Sequence, residues 1–271
     1  MYYWNKPMET IGREDLERIQ LERLQRTVLR MYTNVPFYRE RMQQQGVKPE
    51  DVQSLADLRL LPFMDKRDLR DNYPFGTFAA PRQEIVRIHA SSGTTGKPIV
   101  AGYTANDLQM WAECVARGLG CAGVTKKDTV QVAYGYGLFT GGLGLHYGVE
   151  RIGATVVPIS AGNTKRQLML MQDLGTTAIA CTPSYALMMG ETIRDQKIDM
   201  TNFKLRVGIF GAEPWTEGMR SEIERLLNPR AGHLRSDRER RSRRGDAMPR
   251  GRGTAHLGGL FHPGDRRSCD G

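Results

Sequence analysis

No apolar run in the 271-residue sequence approaches the roughly 20 residues that a membrane-spanning helix needs. Cysteine is scarce: Cys114, Cys121, Cys181 and Cys269 show no CxxC spacing and no nearby paired histidines, which excludes a zinc site or a disulfide framework as the expected organising feature. The expectation is free, mostly buried thiols. The first residues, Met1-Tyr2-Tyr3-Trp4-Asn5-Lys6, lack the basic-then-apolar layout of a signal peptide, so a cytoplasmic address is the default. Lysine is missing from Pro229 to Gly271, where eleven arginines face five acids. That local surplus of six leaves only three of the net +9 to the rest of the chain. A nucleic-acid-binding domain spreads Lys and Arg over a folded face with stacking aromatics, and this tail has one aromatic, Phe261. No nucleic-acid partner is expected, and no membrane.

What remains is ordinary for a soluble globular protein, with 39% hydrophobic and 25% charged residues. From Arg13 to Gln45, Leu16, Ile19, Leu24, Val28 and Met31 recur at helical spacing, with a break expected near Pro36. Leu61 to Arg70 reads as a loop entering a short helix. Ile85–His89 and Ile99–Tyr103 read as a strand and a returning strand around a glycine-threonine loop. Thr104 followed by Asp107 marks a helix start, with an end expected near Gly118. Beyond it, strand-like runs (Val130–Tyr134, Ala154–Ile159, Thr177–Cys181, Leu205–Phe210) alternate with helical ones (Gly142–Ile152, Thr164–Leu174, Tyr185–Arg194, Thr216–Leu227). That rhythm predicts an α/β fold with a largely parallel sheet. The expected organisation is a helical segment over residues 1–80, an incomplete α/β domain over 81–228, and a disordered Arg-rich tail over 229–271.

The stretch Ser91-Ser92-Gly93-Thr94-Thr95-Gly96-Lys97-Pro98 carries the clearest chemistry. Two glycines let the backbone turn and aim N–H groups inward, four hydroxyls add donors, and Lys97 adds charge; the set suits polyphosphate oxygens. It is not a Walker A loop, because Ser91 stands where the first glycine should be and Pro98 follows Lys97. Gly135-x-Gly137 is not a dinucleotide fingerprint either, since the third glycine falls at the wrong spacing. His89 and His146 read as packing or hydrogen-bonding residues, and Lys66 as a weak candidate for a phosphate or coenzyme A contact.

This loop resembles the phosphate loop of the adenylate-forming superfamily, which includes acyl-CoA synthetases and luciferases. Leu61-Pro62-Phe63-Met64-Asp65-Lys66-Arg67-Asp68-Leu69-Arg70, the run from Tyr134 to Gly148, and Gly211-Ala212-Glu213-Pro214-Trp215 narrow the resemblance to phenylacetate–CoA ligases, in family order from about Tyr3 to Asn228. The resemblance implies the large N-terminal domain of such an enzyme. It implies ATP, Mg²⁺ and coenzyme A as co-substrates, a phenylacetate-like aryl acid, an acyl-adenylate intermediate, and homodimeric full-length relatives. It places Ser91 to Lys97 on the β- and γ-phosphates, with Lys97 and Thr95 in the catalytic role. Gly211, Ala212, Glu213 and Pro214 fall against the adenine and acyl group, and Tyr134, Tyr136, Phe139 and Gly141 in the acyl pocket. Another adenylating enzyme that loads a carrier protein, or a gene remnant without function, stands as the alternative.

After Asn228 the sequence departs from the family. Relatives continue with a strand and a motif close to Asp-Ile-Tyr-Gly-Leu-Thr-Glu. Reading one base later, so that each triplet takes the last two bases of one codon and the first of the next, Asn228 to Arg241 allows Ile-Arg-Ala-Leu-Asp-Ile-Tyr-Gly-Leu-Thr-Glu-Ser-Gly. The same offset reads the Met248–Pro249 pair as Cys, as the family leads one to expect, and restores a second family-like run from Thr254 to Gly271. The expectation is a frameshifted tail, loss of the glutamate that resembles the Mg²⁺ ligand of relatives, no small C-terminal domain, and little or no ligase activity. Sequencing the gene across the Asn228 codon should show a single inserted or lost base; an undisturbed frame in which no shift restores those runs would refute the tail's explanation.

Overall fold

A computed structural model describes residues 3–91 and 97–227. Its contacts divide into two compact units: Thr10–Met110 with Leu138–Thr140, and the described parts of Met1–Glu9, Trp111–Gly137 and Gly141–Gly271.

In the first unit, helices α2 (Arg13–Asn34) and α3 (Pro36–Gln44) follow the short α1 (Lys6–Glu9), which belongs to the second unit. The break expected near Pro36 falls at Val35, which is extended (φ −116°, ψ 96°) as a residue before proline prefers. Val28, Val35, Tyr38, Met42 and Val52 form this unit's buried cluster. Helix α4 (Lys66–Asp71) starts at Asp65, whose carboxylate accepts the amides of Arg67 and Asp68, while Asp68 returns to the Asp65 amide. Asp68 also takes the Arg41 guanidinium in a two-point pair, tying α4 to α3. Strands β1 (Ile85–Ala90) and β2 (Val100–Thr104) pair antiparallel, with Ala90 opposite Val100.

Helix α5 (Ala105–Cys121) contains the division between the units. Its start is the one expected: the Thr104 amide donates to Asp107 Oδ2 (2.9 Å) and the Asp107 amide to Thr104 Oγ1 (3.2 Å). Its end is not. Gly118 stays helical and the helix runs to Cys121, because Ala116 and Leu119 are buried on its inner face and Gly123, at φ +88°, makes the turn instead. A glycine inside a helix costs about 1 kcal/mol, which burial of that face outweighs.

The second unit holds a four-stranded parallel sheet in the order β4-β3-β5-β6, from β3 (Thr129–Val132), β4 (Thr155–Val157), β5 (Ala178–Cys181) and β6 (Val207–Phe210). Helices α6 (Gly141–Ile152), α7 (Thr164–Asp173), α8 (Pro183–Asp195) and α9 (Glu217–Leu227) alternate with the strands. Side chains divide by the two-residue period of a strand. Ala178 and Ala180 of β5 join Val130, Val132, Leu145 and Val149, whereas Ile179 and Cys181 join Leu168, Met171, Met189 and Ile223. Burial on both faces is why these strands read as largely apolar runs, interrupted in β3 by Gln131. They are shorter than those runs. Pro158 stops β4, and Ala133 keeps only its amide bond to the Ala180 carbonyl. Among the described residues no helix is long and apolar enough to cross a membrane. Cys181 is buried, and Cys114 and Cys121 are half-buried.

Two clusters of buried polar side chains sit inside this unit, each with its partners. Gln131 of β3 donates to Gln167 Oε1 (2.6 Å) and accepts from the Thr176 hydroxyl (3.1 Å). Asp128, only 4% exposed, accepts from Thr177 Oγ1 (2.6 Å), the Thr125 amide (2.8 Å) and Arg206 Nε (3.1 Å), joining the starts of β3, β5 and β6. Burial alone would raise the Asp128 carboxyl pKa, but Arg206, Thr177 and Thr125 outweigh it and hold the group below its ordinary 3.8. A carboxyl with a depressed folded pKa contributes stability that is fully present above the unfolded value and is lost as pH falls through the folded one. Asp128→Ala should lower unfolding stability by about 2–4 kcal/mol. Asp128→Asn should flatten the acid limb of the urea midpoint below about pH 4; a limb unchanged in that variant would contradict the assignment.

Candidate functional site

In an open parallel sheet the carboxyl ends of the strands gather loops, and a crevice forms where the strand order reverses. Here the chain goes from β3 to β4 on one side and then to β5 on the other, so the reversal lies between β3 and β5. Tyr134 occupies that position, just past the end of β3. It is 7% exposed, and its hydroxyl donates to the Cys181 carbonyl (2.6 Å) at the end of β5 and lies 3.1 Å from the Gly211 carbonyl after β6. Burial raises the Tyr134 pKa strongly, and buried Cys181 is raised as well, with the charge of Glu213 adding to both.

The turn Gly211–Pro214 follows β6. Ala212 there takes φ +71°, a left-handed conformation that a side chain with a Cβ disfavours by about 1–2 kcal/mol. Glu213 Oε1 accepts the amide of Ser184, in the first turn of α8, at 2.5 Å. Thr182 caps the same helix through the Tyr185 amide. Trp215 closes the turn edge-on against Phe210, with ring centroids 5.7 Å apart. Sequence alone gave no sign of the Glu213–Ser184 bond or of the left-handed Ala212.

Tyr136 is half-buried. Its hydroxyl lies 3.4 Å from His146 Nδ1, and His146 Nε2 lies 3.2 Å from Glu150 Oε1. Burial, aided by the Glu150 charge, pushes the Tyr136 pKa up to about 12. His146 therefore has the hydrogen-bonding role expected for it. The glycines of this run serve close packing. A Cβ on Gly142 would stand 2.7 Å from the Gly135 carbonyl oxygen and 3.3 Å from Tyr136 Cδ2, and one on Gly144 would stand 2.6 Å from Trp111 Cζ2. Gly141 is the first residue of α6.

In the other unit, Ser91 closes the β1–β2 hairpin from both sides. Its amide donates to the Ile99 carbonyl (2.9 Å) and its Oγ accepts the Ile99 amide (2.9 Å). Lys97 Nζ rests 5.3 Å from the centre of the Tyr73 ring, a cation–π contact that sequence did not suggest. Ser92, Gly93, Thr94, Thr95 and Gly96 lie outside the described residues. The Leu138 carbonyl accepts the Ala90 amide (3.0 Å) and faces His89 Nδ1 (2.9 Å), which is the hydrogen-bonding role expected of His89. Phe139 beside it is 61% exposed, and Lys66 is exposed at the start of α4. Among the described residues no group of three or more His, Cys, Asp or Glu side chains is placed to hold a metal ion. The tail after Leu227, where relatives are expected to carry the Mg²⁺-ligand motif that this sequence lacks, lies outside the described residues.

No protein-family profile matches the chain. Whole-protein comparison decides the matter. The chain is 54% identical over 222 residues to the phenylacetate–coenzyme A ligase of Escherichia coli (strain K12), which covers 82% of this chain and 51% of that protein. The chain belongs to the phenylacetate–coenzyme A ligase family. The ligase of Pseudomonas putida is 54% identical over 221 residues, and that of Thermus thermophilus 50% over 227, each with about half of its length covered. The chain thus spans about half the length of the curated relatives it matches. Among solved structures, a 2-hydroxyisobutyryl-CoA ligase in complex with 2-HIB-AMP and CoA superposes with a TM-score of 0.78 at 31% identity, over 83% of this chain and 50% of that one. Tyr134 and the Gly211–Pro214 turn lie at the same end of the parallel sheet. Gly142→Ala should displace the Gly135–Tyr136 backbone and lower stability by about 1–3 kcal/mol in urea denaturation; an unchanged midpoint would refute the close packing.

Proposed function

We propose that the full-length protein joins phenylacetate, or a similar flat aryl acid, to coenzyme A through an acyl-adenylate. In the first step a carboxylate oxygen bonds to the α-phosphorus of ATP and the bond to pyrophosphate breaks. In the second the thiol of coenzyme A attacks the acyl carbonyl, loses its proton, and AMP leaves. The carrying observation is 54% identity to a curated phenylacetate–coenzyme A ligase across the part of the chain that contains the Ser91–Lys97 loop. Bringing a carboxylate to a triphosphate sets two anions together, so neutralising and orienting phosphate is the main catalytic task.

Ser91, Ser92, Gly93, Thr94, Thr95, Gly96 and Lys97 are assigned to the β- and γ-phosphates, with Thr95 and Lys97 on the departing pyrophosphate. The Gly211–Pro214 turn is assigned to the adenine and acyl-adenylate. Tyr136, Phe139 and Gly141 are assigned to the aryl ring, which needs aromatic walls beside small residues. Tyr134, though part of the same run, is buried and its hydroxyl is engaged with main-chain carbonyls. Mg²⁺ would neutralise the triphosphate charge; among the described residues no group of three or more His, Cys, Asp or Glu side chains is placed to hold it. Small molecules are the partners in this reading, with no nucleic acid, a homodimeric full-length form and a cytoplasmic location.

Phenylacetate-dependent exchange between ATP and pyrophosphate tests the reading. The frame-restored protein should exchange label, and Lys97→Ala should reduce exchange by about 10²–10³-fold. The 271-residue chain should show little turnover. Full exchange by Lys97→Ala would overturn the phosphate assignment, and equal, low turnover in the frame-restored protein would overturn the ligase assignment.

A further inference from the structure

Two observations about the Gly211–Pro214 turn lie outside the reaction scheme. Its Ala212 is held in a left-handed conformation, which persists only when neighbouring groups over-determine it. Among the described residues, the side chains of Tyr134, which reaches the turn, and Glu213, which belongs to it, are both engaged with backbone. Tyr134 offers its single hydroxyl proton to the carbonyls of Cys181 and Gly211, and Glu213 accepts the Ser184 amide. That amide is one of the unpaired donors at the start of the 13-residue α8, where a negative charge is favoured.

We propose that Tyr134 and Glu213 are positioning residues that clamp the Gly211–Pro214 turn from beneath and from the side, so that its backbone, and neither side chain, is what the turn presents to a ligand. The chemistry is specific to this pair. Tyr134 ties the turn to the ends of β3 and β5, and Glu213 ties it to the start of α8. Two anchors on different elements fix the direction of the strained Ala212 peptide, which neither anchor would fix alone. Burial keeps the Tyr134 hydroxyl a donor rather than an anion, and the charge of Glu213 acts the same way, so the two anchors reinforce each other. The proposal rests on the ligase reading only for what the turn binds.

Trp215, next to the turn, is the reporter. The full 271-residue chain labelled with 5-fluorotryptophan gives three ¹⁹F resonances, from Trp4, Trp111 and Trp215. Glu213→Ala and Tyr134→Phe should each shift the Trp215 resonance while leaving that of Trp4 in place. Loss of one anchor should weaken binding of AMP, the probe, by about 5–30-fold for Glu213→Ala and about 3–10-fold for Tyr134→Phe. Glu213→Gln, which keeps an acceptor oxygen for Ser184, should recover most of both effects. An unmoved Trp215 resonance in Glu213→Ala would overturn the clamp. So would Glu213→Gln as weak as Glu213→Ala, because the carboxylate charge would then meet the ligand directly. If the unaltered chain does not bind AMP, the nucleotide reading of this chain fails, while the Trp215 shifts still decide whether the clamp exists.

Discussion

Parallel strands can be hydrogen-bonded side by side only if the chain is carried back along the sheet between each pair, and the second unit is organised by that requirement. Each return is a helix, so both faces of β3 and β5 are covered and both must be apolar. The same rule sends every strand out at the same end. Cys181 and Gly211, which lie 47 and 77 positions beyond Tyr134 in the chain, therefore converge on it without any local signal that they will. The opposite end has its own fastening in Asp128, which collects Thr177 and Arg206 at the starts of the neighbouring strands. One end is thus closed by a charged knot and the other left for loops.

The smaller pairings have a different logic. In the unit containing residues 10–110, a two-point Arg41–Asp68 pair and the Asp65 capping box fasten a six-residue helix too short to persist alone. The hairpin of β1 and β2 is closed by Ser91, whose backbone and hydroxyl both engage Ile99. The effect is a loop that starts from a fixed strand end. On the other side, Lys97 stacks over Tyr73, so the positive charge of the glycine-threonine stretch leaves the described strand region with a neighbour of its own.

The glycine-rich run from Tyr134 to Gly148 meets a packing demand, and the proposed aryl pocket would add a second. A pocket for an aryl ring needs small residues, and so does a helix pressed against its neighbour. The contacts of Gly142 with the Gly135 carbonyl and of Gly144 with Trp111 show the packing demand plainly. Aromatics divide in the same way. Tyr134 is buried as a hydrogen-bond donor, Tyr136 is half-buried against His146, and Phe139 is largely exposed.

The order of elements was legible from residues alone. Period-two and period-3.6 patterns, Pro36, Thr104 with Asp107, and the alternating apolar runs located the helices and strands to within a few residues. They did so because burial on a fixed face leaves a periodic trace. The family was equally legible, since the Ser91–Lys97 loop and the Gly211–Trp215 turn are contiguous strings. Tertiary structure alone decided which groups meet across the sheet: Glu213 with Ser184, Tyr134 with two carbonyls, Gln131 with Gln167, Lys97 with Tyr73. It also decided that Gly118 would stay within α5 rather than end it. Those outcomes depend on hydrogen bonds and burial between residues distant in the chain, and a one-dimensional pattern carries no record of the partner.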